Sequence, residues 1–347
     1  MTEHPNLTQS AKQPDPASVL DLIQAFRRSK TMFAAVSLGV FDLLDQGASD
    51  LTTIAKKLCV NADALDRLLE ACVALGLLGK EGGLYSNSPV AATYLTRSSP
   101  NTLAGYILYS DRALYPLWGN LEAAIREGTN RWEQTFGGKA ALFDHFFRTD
   151  EAHRDFLSGM HGFGQLSSPA VIAAFDLTRF RRFVDLGGGT GHLVLTACAR
   201  YPKLRGAIFD IPNAIATAKS YLGNGAESPG IVLIAGDFFT DPLPEADIFA
   251  LGRILHDWGE DKIRLLLKKV WERLPSGGAL LIAEKLLNDK KSGPVPALMQ
   301  SLSMLVCTEG KERTLAEYTQ LLREAGFTKV EGKVTGAPLD AILAIKE

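Results

Sequence analysis

One segment constrains the fold of this chain more than any other, a glycine turn with the sequence Asp185-Leu186-Gly187-Gly188-Gly189-Thr190-Gly191. Glycines directly after a buried strand permit positive φ angles and let a ligand approach the backbone at a helix N-terminus. A dinucleotide-binding turn needs the spacing Gly-x-Gly-x-x-Gly, but the sixth position counted from Gly187 is His192. The turn therefore disfavours a pyrophosphate and fits a methionine moiety better.

The segment after Phe180 alternates short apolar runs with helical patterns. The runs are predicted as strands over residues 182–185, 206–210, 231–236, 247–252 and 279–284. Alternation of this kind implies parallel βαβ units. Thr314 opens a capping-box helix that stops at Gly326, and residues 329–335 and 339–345 can pair as a hairpin. The predicted fold class is a Rossmann-like α/β domain with a mostly parallel sheet and an antiparallel C-terminal hairpin.

A chain of 347 residues exceeds the usual size of one hydrophobic core, so we expect more than one domain. We divide it into a disordered tail (1–17), a winged-helix domain (18–102), a helical linker and active-site roof (103–174) and a cofactor-binding domain (175–347). The tail is polar and contains three prolines. The roof is rich in aromatic residues, with predicted breaks at Pro116, Gly137-Gly138 and Pro169.

The winged-helix prediction follows from the pattern of residues 18–85. Apolar residues recur at helical spacing from 18 to 44, with a break at Gly39. Two further helices are predicted over 51–58 and 62–75, followed by a hairpin centred on Gly82-Gly83. Two helices joined by a turn and followed by a hairpin give the outline of a winged helix.

Bulk composition excludes several classes of protein. A formal net charge of −2 provides no overall field that would gather nucleic acid or an anionic membrane. The four cysteines are scattered without Cys-x-x-Cys spacing, so neither a zinc ribbon nor a disulfide framework is indicated. No signal peptide or membrane-spanning run is recognisable. We therefore expect a soluble, cytoplasmic protein.

Two acidic residues follow the next two predicted strands. Asp210 ends the second strand about 20 residues beyond the glycines, where a ribose diol is bound in doubly wound folds. Asp237 follows the third strand and can reach an adenine edge, with Phe238 as an apolar face beside it. Each of these residues alone is also explained as an ordinary strand-end turn. Their occurrence in successive loops favours a nucleoside site.

His256 follows the fourth predicted strand and therefore lies on the same rim of the sheet. A neutral histidine, with an unperturbed pKa near 6.5, can remove the proton of a hydroxyl that is being methylated. Glu284 or Glu312 can accept the second N–H of its imidazole. A structural histidine is one alternative, and a metal site with Asp257 and Glu284 is another. Because the helical His-x-x-x-His spacing is absent, we predict that no metal is involved.

Several motifs now resemble those of a known family, the metal-independent class I O-methyltransferases, over about residue 20 to the end. The motifs are Gly236-Asp237-Phe238-Phe239, Asp241-Pro242-Leu243-Pro244, Leu255-His256-Asp257-Trp258, the run Thr308–Thr314 and Asp340-Ala341-Ile342-Leu343-Ala344. They look most like the acetylserotonin branch of the family. The resemblance implies transfer of a methyl group from S-adenosylmethionine to an aromatic hydroxyl, in a homodimer formed through the N-terminal domain.

The resemblance also implies roles for individual residues. His256 would be the general base, bracketed by Glu284 and Glu312. The S-adenosylmethionine site would comprise Asp185, Gly187, Gly188, Gly189, Asp210, Gly236, Asp237, Phe238 and Arg253. The acceptor would meet Phe156, Met160, Asp257, Ser303 and Cys307. Acetylserotonin enzymes carry asparagine and glutamine where this chain has Ser303 and Cys307, so the acceptor is either acetylserotonin-like or another phenol.

Two other functions stay open at the level of sequence. The winged helix could make the chain a regulator that senses S-adenosylmethionine, but its second helix carries Asp63, Asp66 and Glu70 against Arg67. Contact with phosphate needs a basic face, so no nucleic-acid partner is expected. A catalytically silent scaffold is the third hypothesis. The complete glycine turn and His256 favour an enzyme over that scaffold.

Overall fold

The computed structural model describes residues 14–222 and 230–347. The chain divides into two compact units, Met1–Ala91 and Ala92–Glu347, which we treat separately. Most of the predicted disordered tail, residues 1–13, lies outside the described residues. Among the residues that are described, no helix is both long enough and apolar enough to cross a membrane.

The first unit is helical with a small antiparallel sheet. Its elements are α1 (Ala17–Leu38), α2 (Val40–Leu44), β1 (Ser49–Asp50), α3 (Leu51–Leu58), α4 (Ala62–Ala74), β2 (Leu78–Glu81) and β3 (Leu84–Asn87), and α5 (Pro89–Tyr94) follows. The sheet order is β1-β3-β2. Gly39 separates α1 from α2 with a φ of 81°, and Asp50 and Asn61 cap α3 and α4. The helices and the hairpin predicted here are therefore present.

The first part of the second unit consists of short helices followed by one long helix. They are α6 (Ala104–Tyr109), a π-helical turn (Ser110–Leu114), α7 (Tyr115–Trp118), α8 (Leu121–Glu127), α9 (Trp132–Phe136), α10 (Leu142–Phe146) and α11 (Asp150–Ala173). The predicted break at Pro169 is wrong, since α11 runs through it. Val171 and Ile172 beyond the proline are fully buried in the core, and this packing outweighs the cost of the proline.

The remaining elements form a seven-stranded sheet with helices on both faces. They are β4 (Arg182–Leu186), α12 (His192–Arg200), β5 (Arg205–Asp210), α13 (Pro212–Leu222), β6 (Ile231–Ala235), β7 (Ile248–Gly252), a 3₁₀ turn (Leu255–Asp257), α14 (Glu260–Arg273), β8 (Ala279–Glu284), α15 (Val295–Cys307), α16 (Leu315–Glu324), β9 (Lys329–Lys333) and β10 (Asp340–Ile345). The Thr314 capping box is present at the start of α16.

The strand order β6-β5-β4-β7-β8-β10-β9 confirms the predicted fold class. Strands β4 to β8 pair in parallel, whereas β10 is antiparallel to both β8 and β9. Because both faces are covered, the central strands are apolar on both sides. Phe183 packs into the core on one face of the sheet, and Val184 into the core on the other. The strand order reverses beside β4, so a crevice opens at its carboxyl end.

Helices α6 and α11 cross at very short distance because glycines face each other there. A Cβ atom built on Gly159 would lie 2.9 Å from the Cα of Tyr106, and one built on Gly105 would lie 2.8 Å from the backbone nitrogen of Gly159. Neither neighbour is a flexible side chain that could move aside. The close crossing therefore fixes the positions of the aromatic residues on both helices.

Replacement of Gly159 by alanine should force α6 and α11 apart. We expect Gly159→Ala to lower the free energy of unfolding by about 1–3 kcal/mol, as overpacking does elsewhere. Gly259→Ala is the control for a methyl group in open space, since Gly259 has a φ of −65°, and its loss should stay near the roughly 1 kcal/mol that alanine costs at the N-cap of α14. Urea denaturation measures both variants. Equal stability of the two variants would show that the crossing tolerates a methyl group.

Candidate active site

A cavity of about 770 Å³ opens within the second unit at the carboxyl ends of β4, β5 and β7. Most of the predicted site residues line it, namely Phe156, Met160, Gly187, Gly188, Gly189, Asp210, Gly236, Asp237, Phe238, Arg253, His256, Asp257, Ser303 and Cys307. Three predicted residues do not line it, and these are Asp185, Glu284 and Glu312. The fold thus brings residues from many separate segments around one space.

The glycine turn forms one wall of the cavity with its backbone. The N–H of Gly187 donates to the carbonyl of Phe209 at 2.8 Å, and that of Gly189 donates to Oδ2 of Asp210 at 2.8 Å. Gly189 has a φ of +54°, and no atom lies within 4 Å of the position that a Cβ would take. The turn leaves room at the position where a nucleoside ligand would approach the backbone.

Two aspartates, the buried Asp185 and the half-buried Asp210, support this turn from different sides. Asp185 lies behind it, and a Cβ on Gly188 would come within 2.9 Å of its carboxyl carbon. Burial, together with the nearby charge of Asp210, raises the pKa of Asp185 to about 8. Asp210 itself faces the cavity and accepts the N–H of Ile211 at 2.7 Å, and burial raises its pKa to about 6. Asp185 therefore supports the turn, and Asp210 is the acidic group that a ligand can reach.

The loop after β6 is held by a lysine that sequence reasoning missed. The ammonium group of Lys269 donates to the carbonyls of Phe238, Phe239 and Asp241 at 2.8–2.9 Å. Asp237 turns back to accept the N–H of Phe239 at 2.8 Å. Lys269 lies on α14, about 30 positions away in the chain, and no local pattern could have indicated this contact.

Arg253 has an unusual backbone conformation for a residue other than glycine. Its φ is 58°, and its guanidinium lies 4.7 Å from the ring centre of Phe163. Its Nε is buried without a hydrogen-bond partner among the described residues. A strained backbone and an unpaired buried donor are features of binding sites, and this donor suits a carboxylate ligand.

His256 lies on the 3₁₀ turn after β7, with one ring nitrogen engaged by a carboxylate. Its Nδ1 lies 2.6 Å from Oε1 of Glu312, and its Nε2 lies 3.7 Å from Oδ1 of Asp257. Burial by itself lowers the pKa of His256, but the charges of Glu312 and Asp257 outweigh burial and raise it to about 9. The expectation of an unperturbed pKa near 6.5 therefore does not hold in the free protein, where an imidazolium is favoured.

Glu284 contacts the backbone of the histidine turn and not the ring. Its Oε1 accepts the N–H groups of Leu255 and His256 at 2.7 and 3.1 Å, and its other oxygen accepts the hydroxyl of Tyr318. Burial raises the pKa of Glu284. Of the two glutamates considered from the sequence, Glu312 is the one that contacts the imidazole.

The same three residues could also bring their ligand atoms around a cation. One ligand atom from each of His256, Glu284 and Glu312 lies within 4.8 Å of the others. Most of these atoms already form hydrogen bonds within the protein, since Oε1 of Glu312 contacts the ring and Glu284 accepts two amides and a hydroxyl, whereas Oε2 of Glu312 is buried without a partner among the described residues. This pattern of hydrogen bonds describes a supported base better than a metal centre.

The remaining walls of the cavity are aromatic. The ring centre of Phe156 lies 4.7 Å from that of Phe146 and 5.4 Å from that of Tyr109. Trp258 lies edge-on to Phe239 at 4.9 Å and also packs against Phe143. The aromatic content of residues 103–174 was noted in the sequence, but its pattern did not show which rings face the cavity. These rings can stack on a flat acceptor.

Ser303 and Cys307 form one wall next to these rings, and both are engaged within the protein. The hydroxyl of Ser303 accepts the indole N–H of Trp118 at 3.0 Å. The thiol of Cys307 donates to the carbonyl of Ser303, and burial raises its pKa. This wall therefore offers shape and apolar contact in preference to free hydrogen-bonding groups.

Comparison with known proteins identifies the family. An O-methyltransferase dimerisation domain matches residues 20–97, and an O-methyltransferase domain matches residues 118–328. Acetylserotonin O-methyltransferase of Gallus gallus is 40% identical over 338 residues, which cover 95% of this chain and 97% of that protein. The chain belongs to the O-methyltransferase family.

Other relatives of this O-methyltransferase agree with that assignment. A probable bifunctional dTTP/UTP pyrophosphatase/methyltransferase protein of Homo sapiens is 42% identical over 98% of this chain, which spans only 55% of that protein. The solved structure of human N-acetylserotonin methyltransferase in complex with SAM superimposes with a TM-score of 0.92 at 38% identity, covering 98% of this chain and 99% of that one. The prediction of an S-adenosylmethionine-dependent O-methyltransferase is confirmed.

The described residues fit S-adenosylmethionine as the methyl donor. The backbone of the glycine turn is open at Gly189, and Asp210 and Asp237 follow at the next two strand ends. The unpaired Nε of Arg253 is a donor for the carboxylate of the methionine part. In this O-methyltransferase the glycine turn, these two aspartates and Arg253 would hold the donor.

Gly189→Ala should weaken binding of S-adenosylmethionine. The new methyl group would occupy open space at the cavity wall that the bound donor would use, and overpacking by one methyl group costs about 1–3 kcal/mol, or roughly 5- to 150-fold in the dissociation constant. Gly277→Ala is a matched control, since Gly277 also has a positive φ (+78°) and open space but lies outside the site. Both variants should lose about 1–2 kcal/mol of stability from backbone strain. Calorimetric titration that found unchanged affinity in Gly189→Ala would remove the glycine turn from the binding site.

Proposed function

We propose that this chain transfers the methyl group of S-adenosylmethionine to a hydroxyl of a small aromatic acceptor, with His256 as the general base. The observation that carries the proposal is the buried 2.6 Å contact between Nδ1 of His256 and Glu312, in a cavity that also contains the glycine turn. Glu312 holds one nitrogen of the ring, so Nε2 is the nitrogen that can accept a proton from the acceptor.

The proton transfer follows from the charges around the ring. When bound, S-adenosylmethionine supplies a sulfonium methyl group that the acceptor oxygen attacks. His256 must be neutral to act as a base, although the free protein favours its imidazolium. A positive charge placed in this buried cavity disfavours the imidazolium, which lowers the pKa of His256 toward neutrality. As His256 takes the hydroxyl proton, Glu312 stabilises the imidazolium that forms.

The walls of the cavity support an aromatic acceptor. Phe146, Phe156 and Trp258 offer faces and edges for stacking, and Met160 adds a flexible apolar contact. The relatives named for acetylserotonin make an acetylserotonin-like indole the first candidate. Ser303 and Cys307 are engaged within the protein, so another phenol that needs no hydrogen bond from this wall is the second candidate.

We further propose that the enzyme is a homodimer formed through its N-terminal domain. The dimerisation-domain match covers α1 from residue 20 onward, and the apolar residues Val19, Leu22, Ile23 and Phe26 of this helix are more than half exposed in the single chain. Such a stripe favours a partner helix. The alternative of a DNA-binding regulator gains no support, because Arg67 is tied to Asp63 at 2.6 Å. A cytoplasmic location stays a prediction.

Loss of the base should lower turnover without preventing the binding of S-adenosylmethionine. We expect His256→Gln to lower kcat roughly 10²- to 10⁴-fold, the usual contribution of a general base, while S-adenosylmethionine binds at least as tightly, because the imidazolium that opposes the sulfonium charge is gone. A panel of indole, phenol and polyketide hydroxyls with radiolabelled donor measures product formation. His153→Gln serves as control, since that histidine packs against Phe147 and is not among the residues that line the cavity.

Full turnover by His256→Gln on an acceptor used by the wild type would contradict the assigned mechanism. If the wild-type protein methylates none of the hydroxyls while binding the donor, the silent scaffold is favoured instead. Added chelator should leave the wild-type rate unchanged, because the proposed base acts without a metal.

Replacement of Glu312 should change the pH dependence of the reaction. Its charge is the largest of those that raise the pKa of His256, so Glu312→Gln should move the acidic limb of kcat/KM to lower pH. Because the folded pKa of about 9 exceeds the unfolded value near 6.5, this pair stabilises the fold fully below pH 6.5 and less as the pH rises through 9. In Glu312→Gln that decline in stability should be weaker.

Rate profiles and urea denaturation between pH 6 and pH 10 measure these two effects. Glu272→Gln is the control, since Glu272 lies on α14 with its side chain 57% exposed. An acidic limb that stays in place in Glu312→Gln would show that Glu312 does not govern the base.

A further inference from the structure

The 3₁₀ turn that carries His256 is held at both of its hydrogen-bonding edges. On the donor edge, Glu284 accepts the N–H groups of Leu255 and His256 at 2.7 and 3.1 Å. On the acceptor edge, Arg313 donates to the carbonyls of Leu255 and Trp258 at 3.3 and 3.4 Å. The carboxylate of Glu284 and the guanidinium of Arg313 thus form hydrogen bonds to this short turn from opposite sides.

The segment that contains Arg313 covers the other carbonyls of the turn. The N–H of Glu309 donates to the carbonyl of Asp257 at 3.2 Å. Gly310 packs so closely that a Cβ there would lie 2.1 Å from the carbonyl oxygen of His256. Glu312 contacts the imidazole itself. One run of residues therefore contacts both the ring and the backbone behind it.

Arg313 is an unusual cation because its hydrogen bonds go to the backbone alone. It is 2% exposed, and its guanidinium donates to the carbonyls of Leu255, Lys311 and Trp258. Within residues 14–222 and 230–347, no carboxylate forms an ion pair with it at 4.0 Å or less. Burial of a charge is costly, and the fold would recover that cost more directly with a carboxylate partner. What the guanidinium does here is bridge two carbonyls three residues apart.

Tyr318 completes the opposite side of this arrangement. It is fully buried on α16, and its hydroxyl donates to the oxygen of Glu284 that the turn does not use. Its ring centre lies 6.0 Å from the guanidinium carbon of Arg313. Both carboxylate oxygens of Glu284 are thereby held by hydrogen bonds, which fixes the position of the turn relative to β8.

We propose that Arg313 is a positioning residue for methyl transfer, which holds the His256 ring at the cavity wall against the opposing pair of Glu284 and Tyr318. This proposal rests on the role of His256 put forward above. Arg313 touches neither the cavity nor the imidazole, so its effect passes through the backbone of the turn and through its charge. Geometry and charge can be separated by the choice of variant.

Three substitutions make that separation. Arg313→Lys keeps the charge but cannot bridge two carbonyls, so kcat should fall about 10²-fold, as for a misplacement near 1 Å, with unchanged KM for the donor. Arg313→Met removes both charge and bridge. Tyr318→Phe keeps the ring but frees one oxygen of Glu284, and kcat should fall in the same direction. Arg131→Lys is the matched control, because Arg131 is also buried (4% exposed) but its guanidinium contacts Glu127, Thr129 and Gln134.

The titration of His256 provides a second readout that needs no acceptor. The charged groups around its ring are Glu312, Asp257 and Glu284, with Arg253 and Arg313 as the cations. Loss of the Arg313 charge should raise the midpoint of His256 in Arg313→Met, whereas Arg313→Lys should retain it. Tyr318→Phe should lower it, because Glu284 without that hydrogen bond carries less negative charge. Spectra of ring-labelled histidine measure these shifts, and the His256→Gln spectrum identifies the resonance among the six histidines.

Wild-type kcat in both Arg313→Lys and Tyr318→Phe would overturn the proposal, and these two variants decide it if Arg313→Met does not fold. A wild-type midpoint in a folded Arg313→Met would overturn it as well. If the wild-type protein methylates no acceptor, the proposed function has failed. The midpoints alone then decide whether Arg313 positions and tunes His256.

Discussion

The rest of the site depends on the buried contact between His256 and Glu312. Burial by itself disfavours the imidazolium of His256. Together His256 and Glu312 form a 2.6 Å contact that outweighs burial and raises the pKa of the imidazole to about 9. Such a pair functions only while its geometry is kept. The protein therefore holds the backbone under the histidine with Glu284 and Arg313, although neither of them touches the ring.

The parallel sheet explains how donor and base come to share one cavity. Gly252 on β7 pairs with Ala283 on β8, so the residues that follow the two strands leave the sheet at the same level. Arg253 and His256 follow β7, and Glu284 ends β8 beside them. The glycine turn follows β4, the neighbour of β7 on its other side. Adjacent strand ends thus bring the glycine turn and the proposed base His256 to one cavity without any long connection.

Much of this fold could be predicted from local patterns, because periodicity, glycine turns and caps act over a few residues. The strands, the capping box of Thr314 and the residues of the cavity rim are of this kind. Sequence reasoning missed the role of Glu284, the hydrogen bonds from Lys269 to the loop after β6 and the continuation of α11 through Pro169. Each of these depends on contacts between distant segments. The shifted pKa of His256 was missed for the same reason, since it arises from three carboxylates on different parts of the chain.

The two halves of the cavity differ in what recognises the ligand. The proposed donor half is built largely from backbone, through the open turn at Gly189 and the loop that Lys269 holds. The acceptor half is built from side chains such as Phe156, Met160 and Ser303, which project from helices α11 and α15. Substitutions there can reshape the acceptor pocket while the donor site and the histidine turn stay as they are. This division would let one methyl donor and one base serve acceptors of different shape, and under the proposed function Ser303 and Cys307 are the positions at which we expect the acceptor preference of this chain to be set.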